Sequence, residues 1–135
     1  MFEITTLAAK DTFTLDLVNA NDEPLLDSEG QSLSVTVYGP GSKTYAKAQA
    51  ARTQRMMDRM AKKGKVKLNA EEQVRENAEF LAACTASLNR WGYKGKADAE
   101  AILAAYSDPA IGFISDQVAK AMNDWANFTS SSSTS

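Results

Sequence analysis

The sequence predicts an α+β fold that is predominantly α: a short N-terminal antiparallel β-hairpin or small sheet followed by a bundle of about four helices. Three observations carry this. Strict alternation of apolar and polar residues is confined to the stretch before Ser42, apolar spacing of three and four residues governs the chain from there to Phe128, and Ser, Asn, Gly and Pro stand at the joints between segments. A chain of 135 residues, 44% of them hydrophobic, fits one domain with one core.

Region 1–41 reads as β. Phe13, Leu15 and Leu17 alternate with Thr12, Thr14 and Asp16, and Leu33, Val35 and Val37 alternate with Ser34, Thr36 and Tyr38. Turn residues fill Asn19 to Pro24 and Asp27 to Gly30, leaving Leu25-Leu26 as a short third strand between them. Two strands alone are marginal in water, so their apolar face needs a helix against it.

Region 42–128 reads as helix within the same domain. Ser42 caps a first helix that runs to Lys63 and stops at Gly64. Asn69 caps a second, with Glu72 placed to complete a capping box. Its stripe of Val74, Ala78, Leu81, Thr85 and Leu88, with Phe80, Cys84 and Trp91 alongside, predicts a helix reaching Gly92. A third spans Asp98 to Tyr106 with Ile102, Leu103 and Tyr106 inward. Asp108 caps the last, with Pro109 at its first position and an inner face of Ile111, Ile114, Val118, Met122 and Trp125. Residues 129–135 form a Ser/Thr tail, expected to be disordered.

Composition narrows the chemistry. There is no histidine and a single cysteine, Cys84, so no Ser-His-Asp or Cys-His catalytic unit, Cys/His zinc site or intrachain disulfide can form. No calcium-loop motif occurs, and Gly39-Pro40-Gly41-Ser42-Lys43 has the wrong spacing for a phosphate loop. No catalytic, cofactor or metal residue is assigned. Cys84 reads as a small core residue. Glu71, Glu72, Glu76 and Glu79 read as charges that complement their helix dipole. Trp91, Trp125 and Phe128 read as core closure, with a homo-oligomer interface as their second use. The N-terminus has neither a basic start nor an apolar run, and no stretch approaches membrane-spanning length, which points to the cytosol.

Charge is the most informative pattern. Residues 1–41 carry one base against seven acids, 42–67 nine bases against Asp58 alone, and 68–135 five bases against nine acids. Lys43, Lys47, Arg52, Arg55, Arg59, Lys62 and Lys63 recur at helical steps as one broad face, opposite Tyr45, Ala48, Ala51, Met56 and Met60. Three uses are open: a solvated face neutralised by the acidic first region, a protein-docking helix, or a phosphate-binding helix. Missing aromatics and an isoelectric point near 5.2 weigh against nucleic acid. The candidate partner-binding residues are Lys47, Arg52, Arg55, Met56, Arg59, Met60 and Lys63.

Further motifs are Tyr38-Gly39-Pro40-Gly41-Ser42-Lys43, Glu79-Phe80-Leu81-Ala82-Ala83-Cys84-Thr85, and the run from Tyr106-Ser107-Asp108-Pro109 through Ile114, Gln117-Val118 and Asn123-Asp124-Trp125-Ala126-Asn127-Phe128. Through these, residues 33 to 128 resemble the tail assembly chaperones of tailed bacteriophages. The resemblance implies a non-enzymatic role. Such proteins keep the tape-measure protein soluble and help recruit tail-tube subunits in the host cytoplasm, and they are absent from the finished virion. Many are also made as a longer frameshifted product. The resemblance carries over no functional residues. The competing class is a small nucleic-acid-binding regulator using the basic helix 42–67.

Overall fold

The computed structural model describes residues 1–64 and 67–129. The fold is α+β and mainly α. A three-stranded antiparallel sheet in the order β1 (Thr12–Asp16), β2 (Ser34–Tyr38), β3 (Thr85–Asn89) is covered on one face by helices. These are α1 (Lys43–Lys63), α2 (Ala70–Ala83), α3 (Asp98–Tyr106), α4 (Gly112–Met122) and the short α5 (Ala126–Thr129).

Central strand β2 pairs Phe13 with Val37 and Leu15 with Val35 on one side, and Val35 with Leu88 on the other. Alternation sends these apolar side chains to one face, where Leu17, Val35, Val37, Val118, Met122 and Phe128 are all but inaccessible. The opposite face is polar. Thr14 and Thr36 share a hydroxyl hydrogen bond of 2.9 Å, and the Asn89 amide donates to Ser34 Oγ and Thr36 Oγ1 at 3.0 and 3.1 Å.

The third strand is not where the sequence placed it. Leu25 and Leu26 make no strand: Leu25 turns into the core while Leu26 is exposed, and only isolated bridges, Val18 to Pro24 and Leu26 to Ser32, cross this loop. Leu17, Leu25 and Leu33 instead close a ring of three backbone bonds, each N–H donating to the next carbonyl at 2.9–3.0 Å. The second helix correspondingly stops at Ala83, not at Gly92, and its expected C-terminal part is β3. Thr85 to Asn89 satisfies both periods. The exposed edge of β2, which would otherwise carry unpaired peptide groups in a buried strand, selects the extended form. Trp91 follows this strand and donates its indole N–H to the Ser34 carbonyl at 2.9 Å.

Helix boundaries elsewhere follow local chemistry. Ser42 Oγ accepts from the Tyr45 N–H at 3.1 Å, and Gly64 ends α1 in the left-handed region at φ 67°. Asn69 and Glu72 form a complete capping box. Asp108 caps a single 3-10 turn, Pro109–Ile111, before α4 begins. Ile114, Val118 and Met122 face inward as expected, but α4 ends at Met122, capped by Asn123. Trp125 lies beyond it, 54% exposed, so it does not close the core.

Phe128 closes the core. A tight turn at 123–125 starts α5, which lays the Phe128 ring edge-on to Phe13 at 5.8 Å and directly against Gly39. The Phe128 carbonyl accepts from the Lys10 N–H at 2.7 Å, and Gln117 clasps the Val18 peptide through both amide atoms at 2.8–2.9 Å. Both ends of β1 are thereby tied to the helical layer. Thr129 ends α5; the rest of the polar tail and Lys65 lie outside the described residues.

A Cβ added at Gly39 would overlap the Phe128 ring, so Gly39→Ala must displace that side chain or α5. Phe128→Ala empties a fully buried site and should cost about 3–5 kcal/mol. Urea unfolding of the two variants checks this; unchanged midpoints would remove α5 from the core.

Candidate functional site

Helix α1 packs chiefly on α2. Its inward face has little to bury: Ala48 is the one fully covered residue, beside half-buried Tyr45. The contact is made instead by long charged side chains. Arg55 grips Glu76 in a two-pronged bond, Nε to Oε1 at 2.9 Å and Nη2 to Oε2 at 2.6 Å. Arg59 Nη1 reaches the same carboxylate at 3.3 Å, and Arg55 Nε lies 3.5 Å from Glu79 Oε2. One turn earlier, Arg52 sits over the Phe80 ring, its Cζ 3.7 Å from the ring centre, while Tyr45 meets the same ring edge-on at 5.4 Å. Tyr45 also donates its hydroxyl to Asn123 Oδ1 at 2.9 Å, which ties α1 to the end of α4.

Glu76 is only 7% exposed, and its pairing is what makes that burial tolerable. The hydrogen bonds from Arg55, and then the charges of Arg55 and Arg59, hold its carboxyl below the ordinary value of 4.5 against the opposing pull of burial. The same contacts raise Arg55. Lys63 Nζ reaches Glu72 at 3.3 Å at the far end of the helix pair.

The candidate residues therefore divide. Arg52, Arg55 and Arg59 do not form an outward basic face; they turn to α2. The neutralising carboxylates are those of α2, not of the acidic first region. Nor are Tyr45 and Ala48 on the side of the methionines: they lie inward with the arginines. Lys47, Met56, Met60 and Lys63 are exposed, and Met57, which the sequence reading passed over, joins them. Met56, Met57 and Met60 are 42%, 57% and 50% exposed. The missed signal was the acid spacing of α2. Glu72, Glu76 and Glu79 share one helical face, and such a row can take an arginine row from a neighbouring helix as readily as it can face water.

The remaining reactive-type side chains are structural. Cys84 is buried, its thiol pushed up to about 11 by burial, partly offset by Arg52. Burial pushes the Tyr106 phenol up to about 12, and its oxygen shares a 2.8 Å hydrogen bond with Thr85 Oγ1. Among the described residues no three Asp, Glu or Cys side chains gather as a metal site, and no helix is long and apolar enough to cross a membrane. Comparison with protein-family models, with curated proteins and with solved structures finds no match for this chain.

Because the Glu76 carboxyl is depressed, its stabilisation is fully present above pH 4.5 and is lost as pH falls through its folded-state value. Wild type should lose stability steeply below that point, and Glu76→Gln should flatten the dependence. At neutral pH the same variant should cost about 3 kcal/mol, the low end for a broken buried pair, because water reaches both arginines. Urea midpoints measured across the acid range check both.

Proposed function

We propose that this protein is a non-enzymatic tail assembly chaperone, acting in the host cytoplasm and absent from the mature virion. It would keep a tape-measure protein soluble and help recruit tail-tube subunits. The observation that carries this reading is the outward face of α1. Met56, Met57 and Met60 stand exposed on a helix braced from behind by Arg55 and Arg59 on Glu76. Methionines are flexible and polarizable, so such a face accepts apolar stripes of varied shape. Lys47 flanks it and favours an acidic border on the client, while Lys63 is held by Glu72. A long helical client with exposed apolar stripes is the type of partner that suits it.

The arrangement also weakens the competing regulator reading. Nucleic-acid binding through helix 42–67 would draw its strongest phosphate donors from Arg52, Arg55 and Arg59, and these are engaged by Phe80, Glu76 and Glu79. Among the described residues the exposed cations of this segment are lysines, and no exposed aromatic side chain stands beside them as a platform for bases.

Co-expression with the tape-measure protein tests the proposal. Met56→Glu combined with Met60→Glu changes only exposed positions, so helical circular dichroism should be retained while the client moves to the insoluble fraction. A folded double variant that keeps its client as soluble as wild type does would reject the docking face.

A further inference from the structure

The solvent side of α1 carries an ordered pattern. Ala46, Ala50, Thr53, Met57 and Met60 are spaced four, three, four and three residues apart, the seam spacing of a coiled coil, and all five are exposed. They lie opposite Ala48, Arg52, Arg55 and Arg59, the row that faces α2. The seam extends about 21 Å along the axis. It is graded: small at its N-terminal half, large and soft at its C-terminal half.

We propose that this seam pairs with the same seam of a second copy, antiparallel, about a two-fold axis at Thr53. Size complementarity supports that direction. With Thr53 opposite its own copy, Met57 lies over the partner's Ala50 and Met60 over the partner's Ala46. Each large side chain meets a small one, and the helices keep an even separation. A parallel pair would put methionine on methionine at one end and alanine on alanine at the other, which leaves a gap.

Charge complementarity supports it too. Lys47 and Asp58 project from the same flank of the seam, eleven residues apart, too far to meet within one helix. In the antiparallel pair each Lys47 faces the partner's Asp58, so two equivalent ion pairs border the seam, as a two-fold interface requires. Among the described residues neither side chain has an ion pair, and Asp58 accepts a 3.0 Å bond from Gln54. In a parallel pair Lys47 meets no acid. Four turns of alanine, threonine and methionine bury less than the ~1,600 Å² of a standard stable interface, so the dimer should be weak and concentration-dependent. Self-pairing would cover the methionines whenever no client does, and it is read from the purified protein alone, whatever the client.

Sedimentation velocity over a concentration series, with engineered disulfides, tests it. The native chain should move from monomer to dimer as concentration rises, and Met57→Glu should hold it monomeric with unchanged circular dichroism. Thr53→Cys should give a disulfide-linked dimer and Ala46→Cys alone should not, whereas Ala46→Cys mixed with Met60→Cys should cross-link. Lys47→Asp and Asp58→Lys should each weaken the dimer, and the double exchange should restore it. A chain that stays monomeric throughout would overturn the proposal. So would self-linking by Ala46→Cys, a dimer indifferent to Met57→Glu, or a double exchange that restores nothing.

Discussion

The Glu76 carboxylate, nearly sealed from water and gripped by Arg55 and Arg59, sets the attitude of the whole outer layer. Helix α1 has one small residue, Ala48, fully covered against the rest of the protein. Alanine and half-buried tyrosine bury too little apolar area to hold a 21-residue helix in one rotation. A buried carboxylate tolerates no such freedom. Losing its guanidinium partners would strand a charge, so every other rotation of α1 is penalised by that desolvation. Arg52 over Phe80 and Tyr45 edge-on to the same ring extend the contact along α2.

That constraint has an outward consequence. Fixing the arginine row against α2 rotates Ala46, Ala50, Thr53, Met57 and Met60 into solvent. The helix thus turns its arginines inward and its methionines outward, with lysines bordering the exposed face. The exposed face is soft while the helix behind it is anchored to α2, a combination suited to docking against another helix. By contrast, Cys84 and Tyr106, whose thiol and phenol are pushed up by burial, sit in the core without reaching solvent.

A second constraint runs through β2. As the middle strand it must satisfy peptide groups on both edges. β1 supplies one side, while the other draws Thr85 to Asn89 out of the preceding helix. The C-terminal turn then seals the sheet from below, with Phe128 taking the space that only glycine at position 39 leaves open. Chain ends that are distant in sequence meet here: Lys10 is bonded to Phe128, and Val18 to Gln117.

Signals confined to neighbouring residues were legible in the sequence. Ser42, Gly64, Asn69 with Glu72, and Asp108 with Pro109 act within a turn or two of themselves, and each capped or ended a segment where its chemistry required. The alternation in β1 and β2 and the stripe in α4 likewise reported which face would be buried. The choice between helix and strand at Thr85–Asn89, the exclusion of Trp125 from the core, and the direction of the arginines were decided elsewhere. A side chain's local pattern states how its neighbours repeat, not which distant group will meet it. Arg55 and Arg59 repeat like any solvated basic row, and only folding brings a buried carboxylate within 3.3 Å of both. The sequence by itself determined the capped helix starts, strands β1 and β2 and the buried stripe of α4, because those signals act between near neighbours. Tertiary structure decided which face of α1 meets the protein and which meets everything else, because burying one charge outweighs the weak preference of a helix whose other faces are nearly alike.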